Sequence, residues 1–416
     1  MPTRTRSIRI LACAAFAILA FVPVARADSK LLHLAIGDPA RKDREAPLVL
    51  DGITDTKTGE TITPAELAAR LSTTRLLLIG EEHVSVQSHL VQYRVLEALI
   101  KSGRHVLIGL EMYPYTEQAP LTQWRDGLLT EEGFVRLSRW YDNWGYNWAY
   151  YRDIFLLARD NRVPMFAVNT PRSVVSAVRM KGLANLSPAE AAHIPKDVDV
   201  ENADHLTFFK TTFEGNEGPV HGAGIGDEML KNMFAAQATW DATMGFNAVQ
   251  ALKQANDPKA IMVVLVGSGH VAYGLGIERQ ARKWVDGPIA TLIPVSIGTP
   301  AEGLVKSTRA SYANFTWGVP NEADPAYPMF GASMAVGTGE AARRVIIVQG
   351  GSPAADAGVK VGDVLQSLDG VPLVEKETFS QLMAAKRWGD AATLVVKRGA
   401  DTVTLKFVFR RTAPGK

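Results

Sequence analysis

Cysteine is all but missing from this chain of 416 residues, and the one copy, Cys13, falls inside an N-terminal leader. Residues 1–27 open with Arg4, Arg6 and Arg9, pass through an apolar middle and finish on Ala25-Arg26-Ala27. That is the pattern of a secretory signal peptide, cut before Asp28. A mature chain without thiols excludes disulfide stapling, thiolate catalysis, c-type haem attachment and cysteine-ligated zinc. A lipoprotein anchor at Ile10-Leu11-Ala12-Cys13 is disfavoured, because the apolar stretch follows the cysteine instead of preceding it. The expected location is the periplasm or cell envelope.

Neither sign of charge is in marked excess. The leader carries four arginines and no acid, so without it the 45 basic residues become 41 against 43 acidic ones, and the net charge moves from +2 to −2. A nucleic-acid partner is therefore not expected. Beyond the leader no apolar run reaches the roughly 20 residues needed to span a bilayer. There is no H-E-x-x-H for a zincin site and no G-x-S-x-G for a serine hydrolase.

What is present is a series of short apolar runs, 76–80, 106–110, 164–168, 261–266 and 289–295, each followed by helical sequence. Such alternation predicts βαβ units and an α/β fold: a mostly parallel central sheet flanked by helices. The run Leu76-Leu77-Leu78-Ile79-Gly80 lacks polar alternation and suits a central strand covered on both faces. A small hairpin is expected from 47–52 and 58–61, and Thr63-Pro64-Ala65-Glu66 predicts a helix start with a capping box. A helical insertion fills 172–257. Within it the glycine-rich stretch 214–226 reads as a mobile lid, and Met229, Met233, Trp240 and Met244 form a core-like stripe broken by Gln237.

The residues just past the runs carry the chemistry: Glu81, Glu82 and His83 after the first, Glu111 after the second, Asn169 and Arg172 after the third, Ser268 and His270 after the fourth. In a parallel sheet these positions share one edge, which is where α/β proteins bind ligands. Two readings follow. Glu81, His83, Glu111 and His270 are candidate ligands for a divalent ion (Mn, Co, Zn or Fe), with Glu81, Glu82 or Glu111 as the carboxylate of a metal-dependent hydrolase. Alternatively the edge holds haem, touched by His83, by His89 six residues on, and by Arg172 toward its propionates. The segment 140–151, with three tryptophans, is either packing under the sheet or a platform for a flat ligand. His33, His105, His193, His205 and His221 are expected to be surface or satisfied core residues.

Gly80-Glu81-Glu82-His83 with His89, Glu111-Met112 with Gln118, Tyr151-Arg152, Asn169 with Arg172, the run from Gln237 through Trp240 and Asp241 to Met244, and Gly267-Ser268-Gly269-His270 together resemble the ChaN-like haem-binding uptake proteins of the Tiki/TraB-related superfamily. The resemblance spans about 48–317 and implies an α/β domain over 28–318, haem linked to iron uptake, and a homodimer that sandwiches haem. It adds Gln237, Trp240 and His270 to the haem-binding candidates. The Tiki relatives imply the peptidase or esterase alternative. One departure is Gly276-Ile277-Glu278, where the family pattern has Gly-Ile-Pro.

After a linker at 319–327, residues 328–412 resemble a bacterial PDZ domain, through Gly351-Ser352-Pro353-Ala354-Ala355, Gly358-Val359, Gly362-Asp363-Val364-Leu365 and Asp369-Gly370. The resemblance implies capture of a peptide or protein C-terminus by strand addition, with Met329, Phe330, Gly331 and Ala332 as the carboxylate loop.

Overall fold

The computed structural model describes residues 29–214, 226–298, 304–335 and 339–411. The leader with Cys13, and 215–225 of the glycine-rich stretch with His221, lie outside the described residues. The described chain divides into two units, one ending at Ala326 and one beginning at Tyr327.

The first unit contains strands β1 (Glu45–Pro47), β2 (Ile53–Asp55), β3 (Thr61–Ile62), β4 (Leu76–Glu81), β5 (His105–Pro114), β6 (Met165–Asn169), β7 (Ala260–Gly267), β8 (Ile289–Ser296), β9 (Ser307–Arg309) and β10 (Phe315–Val319). Eight of them form one sheet in the order β3-β2-β10-β8-β4-β7-β5-β6. From β10 to β6 every pairing is parallel, and the β2–β3 hairpin adds an antiparallel margin. All five expected strands are there. β4 lies between β8 and β7 with every residue buried, as its unbroken apolar run requires.

Alternation along β4 decides what each face meets. Leu76 and Leu78 join Met244, Ala248 and Leu252 of the long helix Asp227–Gln254 in one core cluster. Leu77 and Ile79 turn to the other face, where the helix Val86–Lys101 buries Val91, Val95, Leu96 and Leu99. By the same parity Glu81 leaves the sheet toward the helix Val86–Lys101. Leu107 of β5 belongs to the first cluster, so Glu111 leaves toward the long helix. Among the described residues no helix is long and apolar enough to cross a membrane.

The expected hairpin is displaced. Residues 45–47 form β1, paired with β9 in a separate ribbon, and the hairpin is instead β2–β3, with Ile53 opposite Ile62. Pro47 has no N–H for a ladder and sits at the end of that ribbon, and the chain turns at Asp51, whose φ is 53°. The methionine stripe needs one correction: Met233 and Met244 are buried, whereas Met229 near the start of the helix is exposed.

In the second unit, β11 (Ala332–Met334) pairs with β12 (Val345–Val348), and β13 (Val364–Leu368), β14 (Val371–Pro372), β15 (Ala391–Arg398) and β16 (Asp401–Val408) make an antiparallel sheet in the order β14-β13-β15-β16. Its core gathers Phe330, Val345, Leu365, Leu394 and Phe409 with Phe379 of the helix Lys376–Ala384.

The capping box at Thr63 forms as written: Thr63 Oγ1 accepts from Glu66 N–H at 3.3 Å, and Glu66 Oε2 accepts from Thr63 N–H at 2.7 Å. Thr63→Ala is expected to lower stability by about 1 kcal/mol, read as a shift of the urea midpoint without a change of slope.

Candidate functional site

A carboxylate at the end of a buried strand costs free energy unless donors reach it. Glu81, 3% exposed, meets this condition through several chain positions at once. Its Oε1 accepts from Tyr151 O–H at 2.5 Å and lies 2.8 Å from His83 Nδ1, and its Oε2 accepts from Gln92 Nε2 at 2.6 Å. His89 Nδ1 stands 3.7 Å from Oε2. Burial alone would raise the Glu81 carboxyl, but His89, His83 and Tyr151 outweigh it and hold the group at about 2.

His83 precedes the helix Val86–Lys101 in the turn after β4. Its Nδ1 is fixed on Glu81, and its ring lies edge-on to Trp144, with centroids 4.8 Å apart, and 5.1 Å from Tyr146. Among the described residues its Nε2 makes no hydrogen bond, and the side chain stays 16% exposed. Gly267 makes room for it, since a Cβ there would come within 3.0 Å of the imidazole.

A second group sits at the end of β5 and β7. Glu111 Oε2 accepts the Gly267 N–H at 2.7 Å, and its Oε1 lies 3.4 Å from His270 Nε2. His270 Nδ1 stands 2.6 Å from Asp241 Oδ1 and 2.9 Å from Gln237 Nε2, both on the long helix. Burial opposes charge on His270, but Asp241 and Glu111 prevail and raise it to about 10, so the ring is an imidazolium at neutral pH. His205, 3.8 Å from Asp241 Oδ2, goes the other way: burial pushes it down to about 4 and it stays neutral beside Arg279. The Glu111 carboxyl lies below its ordinary value: burial opposes, and His270 and His83 prevail.

The sequence candidates therefore sort by position. His83 and Glu111 approach each other across Gly267, and His270 adjoins Glu111. Gln237 contacts His270, which explains an amide in an apolar stripe, and the Trp240 ring lies 6.0 Å from the imidazole. Arg172 opens the helix Arg172–Lys181, is exposed, donates to the Asn143 carbonyl, and interacts with both Tyr146 and Glu111.

Three expectations are corrected. His89 does not face the cleft: it is buried, with Nδ1 at 3.2 Å from Gln92 Oε1 and Nε2 at 3.3 Å from the His83 carbonyl, and it supports Glu81. Glu82 stands apart from the other carboxylates, raised by burial and by the neighbouring Glu322, which caps the next helix by accepting from Ser85 Oγ at 2.6 Å. Glu81, His83, Glu111 and His270 are not gathered round one point: Glu81 accepts from Tyr151 and Gln92, while Glu111 accepts from Gly267 and lies beside His270. Among the described residues no group of three or more His, Asp or Glu side chains is arranged to hold a metal ion.

The aromatic segment is partly buried packing and partly half-buried rings beside His83. Trp140 and Trp148 are buried against Phe155. Trp144 and Tyr146 are half-buried around His83. His33, His105 and His193 are paired with Glu45, Asp257 and Tyr115. The sequence reading left Gln92 out and carried Tyr151 and Asp241 only within the family motifs, without a role of their own. Gln92 carried a signal, a polar residue on the helix face that holds Val91, Val95 and Leu99.

Stability should be lost at both ends of the pH scale. Glu81 is depressed, so its contribution is present above its ordinary 4.5 and lost as pH falls toward about 2, a difference on the order of 3 kcal/mol. His270 is raised, so its contribution is present below its ordinary 6.5 and lost as pH rises through about 10. In urea midpoints taken across pH, Glu81→Gln is expected to flatten the acid limb and Asp241→Asn the alkaline limb.

Comparison with known proteins was made on this geometry. The profile of the family described as haem-binding uptake, Tiki superfamily, ChaN matches residues 67–280, and that of the PDZ domain matches 328–407. Protein RETICULATA-RELATED 5, chloroplastic, of Arabidopsis thaliana is 27% identical over 222 residues, which is 52% of this chain and 29% of that protein. The chain thus spans well under two thirds of that relative. Among solved structures, ChaN of Campylobacter jejuni, described with cofacial haem binding, is 17% identical with a TM-score of 0.48, covering 65% of this chain and 98% of that one. The HtrA-type protease AlgW is 27% identical over 17% of this chain and 22% of that one, with a TM-score of 0.16. With half of its length inside the profile, the chain belongs to the ChaN family of haem-binding uptake proteins, and it carries a C-terminal PDZ domain.

Proposed function

We propose that this is an exported haem-binding protein serving iron or haem uptake, with its haem held at the carboxyl edge of the sheet beside His83 and a PDZ module that captures partners by their C-termini. The observation that carries the reading is His83 itself. A buried carboxylate holds its Nδ1, its Nε2 is open, and half-buried aromatic rings flank it. An imidazole in that state is an iron ligand, and a second-shell carboxylate on its far nitrogen is the usual companion.

The donor set suits haem better than a bare divalent ion. Haem asks of the protein an axial ligand, apolar surface against its ring and a cation near its propionates; His83, Trp144 with Tyr146, and Arg172 would supply these. A bare ion needs three or four ligands at once, and among the described residues no three His, Asp or Glu side chains are grouped to supply them. Bound there, haem would supply the iron that uptake requires. The protein's own residues would hold the imidazole in place, Glu81 at Nδ1 and Trp144 with Tyr146 against its ring.

The PDZ reading rests on the loop before β11. Gln349 N–H donates to the Gly331 carbonyl at 2.8 Å and Ala354 N–H to the Phe330 carbonyl at 2.9 Å. Gly331 has φ of 77°, and a Cβ there would meet Ser352 Cβ at 2.1 Å, so the loop is pinned in a shape that only glycine fits. Among the described residues β11 pairs with β12 alone, which leaves its other edge for an added strand. Export rests on the leader pattern of residues 1–27.

Titrating the protein with haem is expected to give a saturable, shifted Soret band, with affinity falling about tenfold or more in His83→Ala and less in Arg172→Ala. No saturable change, or stoichiometric Zn or Mn with peptide turnover that a chelator abolishes, overturns the haem reading in favour of a metal-dependent hydrolase. For the PDZ module, fluorescence anisotropy is expected to detect apolar-ended peptides bearing a free C-terminal carboxylate and to lose them on amidation. Equal binding of the amidated forms refutes carboxylate capture.

A further inference from the structure

The acid that caps the helix Val86–Lys101 comes from outside the sheet, from the linker that leads into the second unit. Glu322 Oε2 accepts from Ser85 Oγ at 2.6 Å and from Gln87 N–H at 3.3 Å. Both bonds fall at the first turn, whose N–H groups have no partner within the helix and favour a nearby negative charge. Ser85 is itself the cap residue: its Oγ accepts from Ser88 N–H at 3.1 Å, and its N–H donates to the Glu82 carbonyl at 2.9 Å. That short span carries His83, whose own carbonyl lies 3.3 Å from Nε2 of His89 on the same helix. The start of this helix therefore fixes where the His83 backbone sits.

Chain length turns the cap into a strap. Glu322 stands five residues before Tyr327, the first residue of the second unit, whose ring has the Arg387 guanidinium 5.0 Å from its centroid. Five residues reach at most about 18 Å, and Pro320 and Pro325 on either side of the acid restrict the backbone further. At the near end Val319 closes β10 and accepts from Ile297 N–H at 3.0 Å. A linker this short and stiff has little slack, so a displacement at its far end reaches Glu322. We infer that Glu322 couples the two modules: capture of a C-terminus by the PDZ unit draws on residues 323–326, takes Glu322 away from Ser85 and Gln87, and loosens the turn that holds His83, which weakens the hold on haem. The inference rests on both readings proposed above, haem at His83 and carboxylate capture by the PDZ unit. Its sign follows from the bond being already made, since any displacement of the acid lengthens it. Linkage makes the effect reciprocal, so haem at His83 weakens capture of the partner to the same degree. A carrier so built gives up its haem where its partner is.

The test uses the full chain, with haem affinity read from Soret titrations in the absence and presence of a saturating peptide that ends in apolar residues and a free carboxylate. The amidated peptide is the control, and melting curves of the haem-free proteins check folding. In the parent the peptide is expected to weaken haem binding about fivefold. Glu322→Ala is expected to start about fivefold weaker and to show no further response, whereas Glu322→Gln, which keeps an acceptor oxygen, retains part of it. An insert of about eight Gly and Ser residues after Ala323 is expected to leave haem affinity at the parent value and to abolish the response, because slack absorbs the displacement. A parent whose haem affinity ignores the peptide overturns the coupling while haem binding and carboxylate capture stand. So does a Glu322→Ala chain or a lengthened linker that responds as strongly as the parent. A parent without a Soret shift, or without peptide binding, removes the reading concerned and the coupling with it.

Discussion

The hydrogen-bonded burial of Glu81 is the constraint on which the site depends. An acid at the end of a central strand, covered on both faces, has no water to turn to, and an uncompensated charge there would cost several kcal/mol. Its donors come from the turn after β4, from the second turn of the helix Val86–Lys101, and from the aromatic segment that precedes the helix Arg152–Asp160. Pieces up to 70 residues apart are tied by one carboxylate. The aromatic segment is thereby held against the sheet edge, which is why Trp144 and Tyr146 face His83 while Trp140 and Trp148 fill the layer beneath.

Glu111 solves the same problem on the opposite face of the sheet. Its partners are a backbone N–H of the next strand and an imidazolium, and that imidazolium in turn needs Asp241. The two imidazoles of the cleft consequently differ in kind. His83 has a carboxylate on one nitrogen and, among the described residues, no partner on the other, and Glu81 raises it against the pull of burial. His270 lies between two carboxylates and is spent on neutralising them. Asp241 has His205 at its other oxygen, yet only one of those rings is charged, because burial keeps the proton off His205 and the neighbouring Arg279 adds to the effect. The division of labour comes from burial and charge balance, with no difference in residue type.

Much of this was legible in the sequence because period and parity are local properties. Unbroken apolar runs marked the strands, and the polar residue that ended each run was necessarily near the sheet edge. That is enough to bring Glu81, His83, Glu111 and His270 together. Parity alone also sends Glu81 and Glu111 to opposite faces, a consequence that explains why they do not share one ion. What sequence could not carry was pairing at a distance. Tyr151 and Asp241 stand in the family motifs, but what they do is not visible until β4 is placed beside Tyr151 and the turn after β7 brings His270 over Asp241. His89 was misplaced for the same reason: spacing along the helix says where it points, but only the position of Glu81 says that it points inward. The early hairpin slipped because Pro47 reads as strand-compatible locally, and its ribbon partner lies in β9, some 260 residues away.

How the carboxylates are used limits what they can offer to a bare cation. A metal cage requires acids whose oxygens are free, whereas here both acids have been committed to donors within the fold, Glu81 to side chains and Glu111 to a backbone amide and an imidazolium. Freeing either one for an ion would strand buried donors, at about 1–3 kcal/mol for each lost partner. A ligand that asks only for His83 Nε2 disturbs none of these bonds. The fold has therefore spent its negative charge on shaping a single nitrogen, and a flat molecule that brings its own equatorial ligands to the iron is the one that benefits.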